Sequence, residues 1–174
     1  MTSPLVHPHD PAWIERFREL ADWLSPCLEA GAIGIEHFGS TSVPGLAAKP
    51  VIDIHIVIPS GGFAAVCRVL ETLGYEHRGD QGVEQREVFK LIDPEASGPL
   101  PTHHLYVCEE GCPPLRSHRM FRDFLRSRPD LVQDLSAAKM EAAERAEHDR
   151  KRYQDLKSPA YATVVAQAIL ALDL

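Results

Sequence analysis

The chain has 174 residues, and its shares of 44% hydrophobic and 25% charged residues are those of an ordinary folded protein, not of a disordered one. Its 18 basic and 25 acidic residues give a net charge of −7, so we expect no nucleic-acid partner, because an acidic protein is not attracted to a phosphate backbone. No apolar run approaches the roughly 20 residues that span a bilayer, and the N-terminus does not resemble a signal peptide, so we expect a cytoplasmic protein without a membrane partner.

The first half of the chain predicts two helices and two strands. Apolar residues recur at intervals of three and four over residues 14–28 and 63–73, which is the period of an amphipathic helix. The first of these helices follows an Asp-Pro start signal, and Pro26 bends or ends it. Residues 32–38 and 51–58 instead have the period of two that is typical of β-strands.

The strand over residues 51–58 combines an apolar face with a polar one. Its four isoleucines share one face, which we expect helices to cover. Asp53 and His55 share the opposite face, where two strand rises separate them by roughly 7 Å. An acid and an imidazole side by side on one strand indicate a functional site.

The second half of the chain adds three strands and ends with three helices. The predicted strands are Tyr75–His77, Arg86–Ile92 and Thr102–Cys108. The predicted helices are Ser117–Arg126, Asp130–His148 and Ser158–Leu172, the last starting at Ser158-Pro159 after the polar stretch Asp149–Lys157. This order predicts one α+β domain over residues 1–174, in which helices flank a small mixed or antiparallel β-sheet. The sequence does not indicate an oligomeric state.

A hydroxyl-rich loop joins the two strands of the first half. After Gly39 it carries Ser40, Thr41 and Ser42 in succession, and it returns to the second strand through Lys49. Such a loop can bind an anion, or, in the alternative, its hydroxyls cap turns and its lysine is solvated. The spacing from Gly39 to Lys49 does not fit the Walker pattern GxxxxGK[ST], which argues against a kinase of that class.

Four segments of the chain resemble the GrpB family. They are HFGSTSVPGLAAKPVIDIHI at 37–56, THHLYV at 102–107, FRDFLRSRPD at 121–130 and the stretch from Tyr153 to Lys157. The resemblance covers nearly the whole chain. It implies a nucleotidyltransferase-like fold with a C-terminal helical segment, and a relation to a domain that follows the kinase domain of some bacterial dephospho-CoA kinases.

The resemblance also implies roles for individual residues. In the nucleotidyltransferase superfamily a Gly-Ser pair lets phosphates approach, and two acids on the next strand hold divalent cations. Gly39-Ser40 and Asp53 match this pattern, but His55 stands where the second acid is expected. We therefore expect a divalent metal (Mg, Mn or Zn), although imidazole is a poor ligand for Mg²⁺ and puts ordinary Mg²⁺-dependent transfer in doubt.

The strand over residues 102–107 supplies a third candidate metal ligand. His104 faces away from the core side of that strand, so it can join Asp53 and His55 in a site of two histidines and one carboxylate. The alternative is that these histidines are hydrogen-bonded structural residues.

Two further pairs of residues are candidates for substrate binding. Arg119 and Arg122 lie on one stripe of a helix and fit phosphate or carboxylate recognition, or they are solvated and paired with nearby acids. Tyr153 and Lys157 match the C-terminal motif of the family and can close the site, or they are a packing tyrosine beside a solvated lysine.

The leading hypothesis is a protein that binds a nucleotide or another phosphorylated small molecule, with Asp53 and His55 as catalytic residues of a metal-dependent nucleotidyltransferase. The predicted substrate-binding residues are Gly39, Ser40, Thr41, Ser42, Lys49, Arg119, Arg122, Tyr153 and Lys157. One alternative is a catalytically inactive ligand-binding or accessory module related to coenzyme A, which the missing second acid favours. Another is a metal-dependent hydrolase that uses Asp53, His55 and His104.

Overall fold

Five strands form one mixed sheet in the computed structural model, which describes residues 5–93 and 100–172 of the chain. The strands are β1 (Gly34–Phe38), β2 (Ile52–Ile58), β3 (Tyr75–His77), β4 (Arg86–Leu91) and β5 (His103–Glu109). Their spatial order is β1-β2-β5-β4-β3, and β2 pairs with β5 in parallel while the other neighbours are antiparallel. The prediction of a small mixed sheet is confirmed, and each strand lies within two residues of its predicted bounds.

Helices cover both faces of the sheet. They are α1 (Ala12–Leu28), α2 (Phe63–Thr72), α3 (Pro113–Arg126), α4 (Pro129–Arg145) and α5 (Arg150–Leu172). The prediction that helices cover the isoleucine face of β2 is confirmed. These helices are α1 and α2, whose Trp13, Leu24 and Leu70 join the main hydrophobic core. No helix in the described part of the chain is long and apolar enough to cross a membrane.

The predicted start of the last helix at Ser158 is wrong. The helix begins at Arg150, because the carboxylate of Asp149 accepts hydrogen bonds from the amides of Lys151 (2.8 Å) and Arg152 (3.0 Å), which satisfies the free amides of its first turn. The polar stretch from residue 149 to residue 157 is therefore almost wholly helical, and Pro159 lies inside α5.

Three other helix predictions need smaller corrections. Pro26 lies inside α1 and does not end it. α3 begins at Pro113, four residues before the predicted Ser117, because proline fits the first turn of a helix, where its missing amide costs nothing. α4 ends at Arg145 and not at His148, since Glu147 and His148 have positive φ angles of 48° and 70°.

The C-terminal helices hold the loop between β1 and β2 against the second face of the sheet. Val43 and Leu46 of the loop are buried against Leu125, Leu135 and Val164 of α3, α4 and α5. The loop, the polar end of β2 and the three helices thus meet at one place, where the candidate site lies.

Candidate functional site

Gly39 brings the loop directly over Asp53. Its φ angle of +69° lies in the region that favours glycine, and a Cβ atom at this position would stand 2.0 Å from Oδ2 of Asp53. Any other residue would therefore clash with the carboxylate. The Gly-Ser pair and the acid, predicted to act together, are in contact.

The three hydroxyl residues after Gly39 form a 3₁₀ turn, Ser40–Ser42, and they have different roles. The buried hydroxyl of Thr41 lies 2.9 Å from Nε2 of His37, and the hydroxyl of Ser42 donates to the carbonyl oxygen of Gly39 at 2.7 Å. The carbonyl oxygen of Ser42 accepts two hydrogen bonds from Arg126. Ser42 therefore shapes the loop, as in the alternative interpretation, whereas Ser40 and one edge of Thr41 face a cavity.

This cavity has a volume of about 310 Å³ and lies between the loop, β2, α4 and α5; we call it the lysine cavity. Three amino groups line it, from Lys49, Lys139 and Lys157, together with Ser40, Asp53, His104, Tyr153 and Tyr161. The ammonium groups of Lys49 and Lys157 lie 5.0 and 5.2 Å from the ring centroid of Tyr153. The structure thus brings together most of the predicted loop residues with Tyr153 and Lys157.

Lys139 is the most buried charged residue of the cavity. Its side chain is 2% exposed, and Nζ donates to the hydroxyl oxygen of Ser40 at 2.7 Å. The Ser40 hydroxyl also lies 3.0 Å from the hydroxyl of Tyr161. Burial, with the nearby charge of Lys157, lowers the pKa of Lys139 to about 7, while Asp53 acts in the opposite direction.

The pKa values of the other two lysines of the cavity are also lowered. Burial and the charge of Lys49 lower the pKa of Lys157, and burial and Arg150 lower the pKa of Lys49. Within residues 5–93 and 100–172, none of the three lysines forms an ion pair with a carboxylate. The cavity therefore has an excess of positive charge.

Asp53 is paired with His104, the residue that the sequence suggested a neighbouring strand could bring to it. Nδ1 of His104 lies 3.0 Å from Oδ1 of Asp53, and this hydrogen bond raises the pKa of His104. The two residues are direct neighbours in the parallel pairing of β2 with β5. The pairing favours the protonated form of His104 next to the carboxylate.

His55, by contrast, is not part of the hydrogen-bonded pair of Asp53 and His104. Its ring is 1% exposed and packs against the rings of Phe38, Tyr106 and His118, with Nδ1 lying 3.6 Å from the sulfur of Cys108. Burial, together with the nearby His118 and the charges of Arg86 and Arg122, lowers its pKa to about 2, so the ring is neutral. His55 has the surroundings of a packed structural histidine.

The donor set does not fit the two-metal centre of nucleotidyl transfer. That centre needs several carboxylate oxygens, and Asp53 is the one carboxylate that lines the cavity among the described residues. The predicted metal site of Asp53, His55 and His104 is not assembled, because the described residues contain no group of three acid, histidine or cysteine side chains placed to hold a metal ion.

The two predicted arginines lie outside the lysine cavity. The guanidinium of Arg119 bonds to Glu36 and Glu110, and that of Arg122 bonds to Glu36 and Asp123 and lies 4.6 Å from the ring centroid of Phe38. Both arginines are paired with nearby acids, which was the alternative to substrate binding given for them from the sequence. They tie α3 to β1, which fixes the wall next to the loop.

Comparison with known proteins identifies the family of this chain. The model of the family described as GrpB protein matches residues 4–167. The chain belongs to the GrpB family. A relative, UPF0157 protein PA4798 of Pseudomonas aeruginosa, is 36% identical over 170 residues, which are 95% of this chain and 68% of that protein. A dephospho-CoA kinase of Mycolicibacterium paratuberculosis is 28% identical, and the match covers 87% of this chain but 42% of the kinase.

Two solved structures support the fold assignment. The crystal structure of conserved protein GrpB from Enterococcus faecalis superimposes with a TM-score of 0.75 at 28% identity, covering 93% of this chain and 98% of that one. The structure of Cid1 in complex with the UTP analogue UMPNPP gives a TM-score of 0.56 at 17% identity, covering 80% of this GrpB chain and 42% of Cid1. The predicted nucleotidyltransferase-like fold is confirmed.

Two residues of the lysine cavity in this GrpB chain, Lys139 and Tyr161, were not predicted from the sequence. A signal for Lys139 was present, because it follows Leu135 by four residues and precedes Ala142 by three, on the buried stripe of α4. A lysine on the core side of a helix is rarely buried without a reason. The contact of Tyr161 with Ser40 spans 121 positions of the sequence and depends on the long α5 helix, which was predicted too short.

Proposed function

We propose that this chain binds the phosphate groups of a nucleotide or another phosphorylated small molecule in the lysine cavity. One observation carries the proposal: Lys139 is a buried amine whose hydrogen-bond partner is the neutral Ser40 hydroxyl and which has no carboxylate partner in the described residues. A buried charge is costly unless an opposite charge compensates it. A bound phosphate would supply that charge for Lys139, Lys49 and Lys157 at once.

The comparisons support a phosphorylated ligand without naming it. Cid1, which shares the fold, has been solved with a UTP analogue, and dephospho-CoA kinases contain a region similar to this chain. The ligand classes to test are therefore nucleoside triphosphates and coenzyme A precursors. Because Asp53 lacks a second acid beside it and is engaged by His104, we propose binding as the function and not nucleotidyl transfer.

Calorimetric titration of the protein with inorganic triphosphate, ATP and coenzyme A tests this function. Lys139→Met keeps the length of the side chain and removes its charge, so we expect it to weaken triphosphate binding by at least tenfold, about 1.4 kcal/mol. Lys151→Met is the matched control, because Lys151 is an exposed lysine of α5 outside the cavity. Equal binding by wild type and Lys139→Met would contradict the proposal.

Asp53→Asn, measured with a chelator present, separates direct binding from binding through a metal. If the lysines contact phosphate directly, removing the negative charge of Asp53 leaves triphosphate binding equal or tighter, since one repulsive charge is gone. If Asp53 holds a cation that bridges to phosphate, the chelator and the substitution each abolish binding. The second result would replace the lysine-based proposal with a metal-based one.

A further inference from the structure

A second cavity adjoins the lysine cavity on the other side of Asp53. It has a volume of about 560 Å³ and lies between β2, β4, β5, α3 and α5; we call it the aromatic compartment. The two cavities share Gly39, Asp53, Tyr106 and Tyr161 in their walls. The lysines line the first cavity and none of them lines the second, so the two spaces differ in chemistry.

Aromatic and aliphatic side chains form much of the wall of the aromatic compartment. Phe121 and Tyr161 stack with their ring centroids 5.1 Å apart and their planes within 13° of parallel. Phe38 and Tyr106 form further walls, and Ile169 is 49% exposed at α5. Such surfaces bind flat or branched apolar groups by excluding water.

Two nitrogen atoms of residues that line the compartment are buried and have no hydrogen-bond partner. They are Nε of Arg86 and Nδ1 of His118. Burial and the charge of Arg86 lower the pKa of His118, so its ring is neutral near pH 7 and can carry its proton on Nδ1. Leaving a buried donor without an acceptor is unfavourable, and an acceptor oxygen of a ligand in the compartment would relieve this.

Among the described residues, Arg86 also has no carboxylate partner. Its guanidinium carbon lies 4.7 Å from the ring centroid of Tyr106, and it forms no ion pair within residues 5–93 and 100–172. Asp53, the one described carboxylate in the wall, is already paired with His104. Arg122, the other arginine of the wall, is paired with Glu36. An uncharged ligand would leave the charge of Arg86 unbalanced, whereas a carboxylate matches it in sign and in planar geometry.

We propose that the aromatic compartment is a second binding site, which takes a small carboxylate with a flat or branched apolar body, with Arg86 and His118 as the residues that recognise the carboxylate. This site is separate from the phosphate function proposed above. A carboxylate bound in the aromatic compartment would lie on one side of Asp53, and a phosphate bound in the lysine cavity would lie on the other.

Benzoate and its neutral counterpart benzamide are suitable probes, with binding followed by NMR through the methyl resonance of Met120, which lines the compartment. We expect benzoate to bind with a dissociation constant of about 1 mM, given its size, and benzamide to bind at least about tenfold more weakly. Arg86→Met should reduce benzoate to the level of benzamide. Arg78→Met, which removes an exposed arginine outside the compartment, should change nothing.

Several outcomes would overturn the proposal. They are equal binding of benzoate and benzamide, no benzoate binding, and benzoate binding that survives Arg86→Met. Binding of uridine or adenosine that depends on Arg86, without benzoate binding, would instead assign the compartment to a nucleobase. Lys139→Met should leave benzoate binding intact, and an unchanged urea-denaturation midpoint for Arg86→Met would show that this variant is folded, so the two proposals can fail independently.

Discussion

At the scale of single residues, the site is governed by the balance between one carboxylate and three amines. Asp53 was found from the sequence because an acid on an otherwise apolar strand stands out, and Gly39 because the loop motif marks it. Lys139 was missed. Its place on the buried stripe of α4 indicates burial, but its contact with Ser40, 99 positions away, depends on how that helix packs against the loop. Burial converts an ordinary lysine into a group with a pKa of about 7.

The pH dependence of anion binding follows from that pKa. An anion prefers the charged form of Lys139, which the free protein loses as the pH rises through about 7, so affinity should fall by up to about tenfold per pH unit above this point. Sulfate is a suitable probe, because its own charge is constant across the neutral range. Lys139→Arg stays charged throughout and should show a much flatter profile. His104, Lys49 and Lys157 also face the cavity, and identical profiles for the two proteins would assign the titration to them.

The lowered pKa of Lys139 also makes the free energy of unfolding of the ligand-free protein depend on pH. Between pH 7 and about 10.5 the unfolded chain keeps the Lys139 proton while the folded chain has released it, so the free energy of unfolding gains a positive slope with pH. Below pH 7 both states are protonated, and the full cost of burying the charge is present. This cost is a direct reason for the cavity to bind an anion.

At the scale of elements, α5 delivers Tyr153, Lys157 and Tyr161 to the site, and its N-terminus depends on Asp149. Asp149→Ala removes the acceptor of two backbone amides and should lower the free energy of unfolding by about 1 kcal/mol. Ser158→Ala, at the start predicted from the sequence, should change it by less than about 0.5 kcal/mol, because Ser158 is an exposed residue within the helix. Urea denaturation measures the free energy of unfolding of both variants. A larger loss for Ser158→Ala than for Asp149→Ala would contradict the assigned start of the helix.

At the scale of the whole molecule, the sheet could be predicted from the sequence because each strand carries its own local pattern. The isoleucine face of β2 alone required a helical layer, and α1 and α2 supply it. The cavities could not be predicted, because Ser40 and Tyr161, or Arg86 and Tyr106, meet only after the second layer of helices has packed. The local period of apolar residues predicts helices and strands. A site that lies between the sheet and a layer of helices depends instead on how these layers pack.

That arrangement leads to a prediction for the molecule as a whole. The lysine cavity has the β1–β2 loop and β2 on one side and α4 and α5 on the other, so a bound polyanion would neutralise repulsion between lysines that belong to different layers. Inorganic triphosphate at 100 times its dissociation constant should add roughly 2.7 kcal/mol to the free energy of unfolding. Hydrogen exchange should slow in α4 and α5 and change little in α1 and α2, which pack on the far face of the sheet. At the same triphosphate concentration Lys139→Met, which should bind at least tenfold more weakly, should gain no more than about 1.4 kcal/mol. Protection confined to α1 and α2 would mean that the anion binds elsewhere on the protein.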